Sequence, residues 1–206
     1  MDIIQVLVSI LPAMGIILLV AKFIYYSNTS KGASWGIYPE FDDLARAMNV
    51  KLAVKYRRWE ITKVRGIAET NPVKRCILLD EKNFFKLGQE QRKAVIAHEL
   101  FHLKLNHTIK SSVLFISGCC ISLIIDLSGF SVQALIVFIL FLLANILLRH
   151  KFEYQADNFS AKYVGAEPFI EVLKSISRYE NRRNLASLLT HPSVTSRITK
   201  LKRWVK

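Results

Sequence analysis

Two histidines and a glutamate near the middle of the chain stand at a spacing that suits chemistry. His98, Glu99 and His102 form the pattern His-Glu-x-x-His, which on a helix places both imidazoles on one face, one turn apart. Residues 89–106 contain no proline or glycine and have ample apolar side chains, so they are predicted to be helical. Zinc prefers imidazole nitrogen, and a third protein ligand would leave one position for a water molecule beside Glu99. The alternative is two helix histidines satisfied by their neighbours, with Glu99 on a solvated face.

A candidate third ligand, Glu153, lies on a second predicted helix. The segment Glu153-Tyr154-Gln155-Ala156-Asp157 follows a long apolar run, and its helix is expected to end at Gly165. Glu153 and Asp157 share one helical face, so Asp157 can accept the outer N–H of a ligand histidine when Glu153 binds the metal. The alternative for these two carboxylates is a solvated acidic face.

Three motifs follow one another along the chain. They are His98-Glu99-Leu100-Phe101-His102, Glu153-Tyr154-Gln155-Ala156-Asp157, and His191-Pro192-Ser193 with Arg197 six residues after the histidine. Together they resemble the HtpX and CAAX prenyl endopeptidase family of membrane zinc peptidases, and three motifs in the right order are more specific than any one. The resemblance extends over roughly residues 80–201 and implies a zincin-like catalytic core.

The resemblance also implies a role for each matching residue. The zinc ligands would be His98, His102 and Glu153. The catalytic base would be Glu99, and Asp157 would be the hydrogen-bond partner of a ligand histidine. The longer metzincin motif does not fit, because neither its glycine nor its third histidine stands at the required spacing after His102.

The third motif suggests a hydrogen-bond donor to the reacting group. His191 precedes Pro192, which biases it toward an extended conformation and stiffens the loop that presents it. Such a donor would stabilise the oxyanion that develops on a scissile carbonyl, and Arg197 would brace the zinc-site carboxylates or orient the loop. The alternative for His191 is an ordinary loop histidine. His107 fits the family's extended first motif but is predicted to be structural, since on one continuous helix it points about 180° away from His98.

The composition indicates that part of the chain lies in lipid. The chain has 206 residues, 51% of them hydrophobic, and a formal net charge of +13. The basic residues flank apolar segments and no nucleic-acid motif occurs, so the charge indicates a membrane surface and no nucleic-acid partner. Three cysteines without a Cys-x-x-Cys pair do not indicate a disulfide framework.

Two apolar regions are predicted to cross the bilayer. Residues 3–21 would reach roughly 28 Å as a helix, which predicts an uncleaved anchor over residues 1–26. Residues 111–148 are long enough for a transmembrane hairpin that turns at residues 126–130. Its short first arm, residues 113–125, either starts in the interface or continues the preceding helix. Basic residues follow the first span and lie on both sides of the hairpin, which predicts an outside N-terminus and a cytoplasmic catalytic domain in the cell membrane.

The hairpin divides the predicted catalytic domain into residues 27–110 and 149–206. The first part contains three candidate strands, at residues 51–56, 61–68 and 75–79, which suggest a small antiparallel sheet. The expected fold is therefore mainly α with a small antiparallel β-sheet, an α+β integral membrane protein. An edge strand would pair with extended substrate through main-chain hydrogen bonds, or the sheet serves packing alone.

The function predicted from these features is a membrane-embedded, zinc-dependent endopeptidase. It would hydrolyse peptide bonds of membrane-associated or misfolded proteins near the cytoplasmic face, so its partners are protein or peptide substrates and the lipid bilayer. The resemblance favours quality control over trimming of prenylated C-termini, because the proteins of the branch that trims prenylated C-termini are usually much larger than this chain. The alternatives are a processing or signalling peptidase that cuts one membrane-bound substrate, and a zinc-stabilised scaffold without turnover. Glu99 argues against the scaffold, since structural zinc sites do not need a base. No motif indicates an oligomeric state.

Overall fold

The computed structural model describes residues 3–28, 34–36, 39–50, 54–57, 67–177 and 191–204. Within these ranges most residues are helical, and the helices are α1 (Ile3–Asn28), α2 (Pro39–Ala47), α3 (Glu81–Phe84), α4 (Gln89–Leu105), α5 (His107–Leu127), α6 (Ser131–Val164), α7 (Ala166–Ser177) and α8 (Val194–Trp204). The strands are β1 (Ser34–Gly36), β2 (Val54–Arg57), β3 (Ala68–Asn71) and β4 (Cys76–Asp80). A mainly α fold with a small sheet is therefore confirmed.

The four strands form one sheet in the order β1-β2-β4-β3. The pairs β1–β2 and β3–β4 are antiparallel, but the central pair β2–β4 is parallel, so the sheet is mixed and not purely antiparallel. The reason lies in β4, whose first four side chains are fully buried, as in a strand with neighbours on both edges. Its hairpin partner β3 occupies one edge, and β2 pairs with the other. The strand β1 lies in none of the three candidate strands, and β3 shares only residue 68 with one of them. Most of the predicted strand 61–68 lies outside the described residues.

Among the described residues, three helices are long and apolar enough to cross a membrane, which fits a membrane protein. They are α1, α5 and α6, and many of their apolar side chains are exposed, for example Leu18 at 65% and Leu147 at 68%. The helix α1 continues beyond the predicted end at residue 21, because aromatic residues and no helix breaker follow Lys22. The division into an anchor, a hairpin and two catalytic segments stays a prediction.

The helices α5 and α6 pack against each other along the predicted hairpin. A Cβ atom at Gly118 would lie only 2.3 Å from the Cβ of Phe141, so the close approach of the two helices requires a glycine there. The helix α6 then continues well past the apolar segment and ends at Gly165, whose φ of +100° favours glycine. One unbroken helix therefore carries both the second apolar arm and Glu153.

The helix α4 lies at the centre of the fold that surrounds the candidate site. Its side chains Ile96 and Leu100 are fully buried in a cluster with residues of the sheet, α2, α7 and α8, and each such side chain contributes about 1.5–3 kcal/mol through burial. The Ser160 hydroxyl on α6 donates to the Ala94 carbonyl on α4 at 2.7 Å. These contacts fix α4 and α6 side by side.

The end of α1 is joined to the strand β3. The Tyr26 hydroxyl donates to Glu69 Oε1 at 2.5 Å, and the Asn71 side-chain amide donates to the Tyr26 carbonyl at 2.8 Å. Tyr26 is also almost fully buried. The N-terminal helix therefore packs as part of the same folded unit as the sheet.

Candidate metal centre

Three side chains on α4 and α6 converge on one point. The Nε2 atoms of His98 and His102 are 3.1 Å apart. Glu153 Oε2 lies 3.7 Å from His98 Nε2, and Glu153 Oε1 lies 3.5 Å from His102 Nε2. The helical spacing of His98 and His102 puts both rings on the face of α4 that contacts α6. The predicted third ligand is therefore brought to the two histidines.

The distances within this group fit a zinc ion. Zinc bonds of 2.0–2.1 Å at tetrahedral angles separate two ligand atoms by about 3.3 Å, close to the separations of His98, His102 and Glu153. Burial lowers the pKa of His102 to about 3, so that its ring is neutral and offers a lone pair to a metal. Two imidazoles and one carboxylate are also the donor set of a zinc site that keeps a position open.

Glu99 is half-buried next to the two histidines and contacts Thr70 on β3. The Thr70 hydroxyl lies 2.5 Å from Glu99 Oε2 and 3.2 Å from the Glu99 carbonyl. Burial raises the pKa of the Glu99 carboxyl, because a buried carboxylate loses its hydration. Thr70 therefore fixes the orientation of the side chain that the sequence predicted as the base.

Asp157 lies behind His98, on the side away from His102. Its Oδ1 atom is 3.1 Å from His98 Nδ1, and Arg197 Nε donates to its Oδ2 atom at 2.8 Å. Burial lowers the pKa of the His98 imidazole, but the adjacent Asp157 carboxylate outweighs this and raises it above its ordinary value. The structure thus places Asp157 where an acceptor for the outer nitrogen of a ligand histidine would be.

Arg197 and His191 reach the same site from the C-terminal part of the chain. Arg197 Nη1 lies 3.4 Å from Glu153 Oε2, and His191 Nδ1 lies 3.2 Å from that same oxygen. Burial opposes the charge on Arg197, but the Asp157 carboxylate raises the pKa of the guanidinium above its ordinary value. Arg197 therefore contacts both carboxylates, and its role in bracing them stays a prediction.

His107 differs from its sequence-based prediction, because it does not point away from the site. Its Nδ1 atom lies 3.1 Å from His102 Nδ1. The prediction assumed one continuous helix, whereas α4 ends at Leu105 and α5 starts at His107. Between them Asn106 has a φ of 53°, in the left-handed region. Asparagine adopts this conformation more readily than most residues, and this was the only local sign of the break.

Thr70 was not predicted from the sequence. It lies 29 positions before Glu99, on an edge strand whose place beside α4 depends on the sheet order. No spacing rule connects two residues on different elements at that separation, and therefore no local signal identified it.

A buried His-His-Glu group with a carboxylate beside it, on helices packed against a small sheet, defines the class of zinc metallopeptidases. The sequence matches the profile of Peptidase family M48 over residues 40–205, and the chain belongs to this family. The family predicted from the three motifs is thereby confirmed, and its members are zinc metallopeptidases. None of the curated proteins compared with this chain matches it.

Proposed function

We propose that this protein is a membrane-embedded zinc endopeptidase that cleaves membrane-associated or misfolded proteins near the cytoplasmic face. The observation that supports the membrane setting is the position of the metal group relative to the apolar helices. The helix α5 begins five residues after His102, and Glu153 lies on α6 itself. Glu153 lies five positions after Leu148, the end of the apolar segment, which is roughly 7–8 Å along the helix. The site would therefore lie close to the membrane surface.

The residues of the site divide the work of peptide hydrolysis. His98, His102 and Glu153 would hold a zinc ion, which would supply Lewis acidity and lower the pKa of a water molecule to about 7. Glu99 takes the proton of the attacking water at its carboxylate and later returns it to the departing amine. Thr70 holds that carboxylate in place, and the alternative of a scaffold without turnover has no use for such an arrangement.

The strand β3 is suited to holding the substrate. It lies at one edge of the sheet, and Thr70 in this strand contacts Glu99. An extended segment of substrate that added to this edge would make main-chain hydrogen bonds and lie beside the base. Recognition of this kind depends little on side chains, which suits a peptidase that degrades varied membrane-associated proteins.

Cleavage after reconstitution tests this function. The purified protein in liposomes should cleave a peptide that is tethered to the bilayer by an apolar segment. Chelation should stop the reaction, added zinc should restore it, and the same peptide without its tether should be cleaved much more slowly, because it lacks local concentration at the membrane. Equal rates on both peptides would refute the membrane part of the proposal, and no cleavage of either would refute the endopeptidase part.

The orientation in the membrane is supported by the distribution of charge. Lys104 and Lys110 precede the apolar part of the hairpin and Lys151 follows it, whereas the turn between α5 and α6 has no basic residue. Basic flanks favour the cytoplasmic side, and the turn would then lie outside.

Cysteine labelling in intact cells measures this orientation. A cysteine introduced at exposed Gln89 should react with a membrane-impermeant reagent only after permeabilisation. A cysteine introduced at Leu127, which is 87% exposed near the turn, should react without it. The reverse pattern would overturn the assignment of the catalytic domain to the cytoplasm.

A further inference from the structure

His107 stands at the junction between the metal group and the first helix of the hairpin. It is the first residue of α5 and only 2% exposed. Its Nδ1 atom lies 3.1 Å from Nδ1 of His102, while Nε2 of His102 faces His98 and Glu153. The contact with His107 is therefore made on the side of the His102 ring opposite to the metal position.

We infer that His107 is a positioning residue that fixes the tautomer and the ring orientation of His102 as a zinc ligand. The inference rests on the proposed metal site. A metal at His102 Nε2 requires the proton of that ring to be on Nδ1. This N–H then needs an acceptor, and the nearby Nδ1 of His107 accepts it when His107 carries its own proton on Nε2. His107 does for His102 what Asp157 does for His98.

The neighbours of His107 hold its ring in the orientation that this role requires. The ring is stacked on Phe152, with 4.0 Å between centroids and 3° between planes, and Phe101 packs against it edge-on at 5.6 Å. Phe152 immediately precedes the ligand Glu153, and Phe101 immediately precedes the ligand His102. Both ligand-bearing helices therefore hold the His107 ring in place. An imidazole is an acceptor that also packs well against these two apolar rings.

The break at Asn106 makes the contact possible. On a continuous helix, five residues would place His107 about 140° around the axis from His102. Instead the N–H of Asn106 bonds to the carbonyls of His102 and Leu103, and α5 starts in a new direction. The Asn106 side-chain oxygen also accepts a hydrogen bond from Arg75 at 3.2 Å, which ties the break to the β3–β4 hairpin.

Two substitutions at His107 separate the acceptor from the ring packing. His107→Phe keeps an aromatic ring against Phe152 and removes the acceptor, whereas His107→Gln keeps an amide oxygen as acceptor and removes the ring. We expect His107→Phe to weaken zinc affinity by about 10–100-fold, measured by competition with a chelator, and His107→Gln to weaken it less. Lys104→Gln, an exposed change on the last turn of α4, should leave the affinity unchanged.

Unchanged zinc affinity in His107→Phe, or an equal loss in both variants, would overturn the inference. A direct measurement on the unmodified, zinc-loaded protein needs no variant. The ¹⁵N spectrum of its histidines should show the proton on Nδ1 of His102 and on Nε2 of His107, and a proton on Nδ1 of His107 would also overturn it. Tight zinc binding without any cleavage would refute the proposed function but leave this inference standing.

Discussion

Replacement of Glu99 by glutamine is expected to abolish cleavage or slow it by roughly 10²–10⁴-fold while the protein keeps its zinc. Glutamine has nearly the same shape and still accepts the hydrogen bond from Thr70, but it cannot take a proton from water. The Glu99 side chain is not one of the three that converge on the metal position. Zinc content by atomic absorption and cleavage of a tethered peptide are the two measurements.

The matched variant Glu153→Ala should give the opposite pattern, because it removes one of the three ligands. Bound zinc should fall from about one ion per chain toward none. Zinc at 100 times its dissociation constant stabilises a folded protein by about 2.7 kcal/mol, and this stabilisation should disappear in the variant. Loss of zinc from Glu99→Gln, or retention of zinc in Glu153→Ala, would contradict the assigned roles.

His191→Ala is expected to lower kcat and kcat/KM together by roughly 10²–10³-fold, with unchanged zinc content. The side chain of His191 is 47% exposed, and its Nδ1 atom lies 3.2 Å from Glu153 Oε2. Nδ1–H of His191 donates to the Glu153 carboxylate, so Nε2 can donate to the oxyanion on the substrate only when the ring carries protons on both nitrogens. An imidazole bound to the ligand carboxylate in this way has a fixed direction, which is what an oxyanion donor requires.

Steady-state kinetics with a metal assay distinguish the possible roles of His191. His191→Gln, which keeps an amide donor, should recover part of the lost rate. A rise in KM alone would make His191 a residue that binds substrate. Loss of zinc would instead mean that the contact with Glu153 serves to hold the ligand.

The helices could be predicted because their signals are local. The residues around His98, the run of apolar residues before Glu153 and the glycine at position 165 each specify an element within one or two turns. The parallel pairing of β2 with β4 could not be predicted in this way. It depends on which strands take the two edges of β4, and that choice is made by packing across segments that are distant in the sequence.

The residues of the candidate site also differ in whether local signals predict them. His98 and His102 share one helix face, and Glu153 and Asp157 share another, so helical spacing predicted each pair, and the resemblance to the family joined the two pairs into one site. Thr70 approaches from another element, and no spacing reveals it. His107 shows how sensitive such reasoning is to a single residue, because one left-handed conformation at Asn106 changed its direction from away from the site to contact with a ligand.

The hydrogen bond between Tyr26 and Glu69 has a consequence for any attempt to produce a soluble catalytic fragment. The family match begins at residue 40, and a fragment cut to that boundary would lose the phenol at the end of α1. Glu69 and Asn71 flank Thr70 in β3, and both lose a partner when Tyr26 is removed. Such a fragment would keep every zinc ligand but have a less rigid base, so we expect it to bind zinc and to turn over substrate more slowly than the full chain.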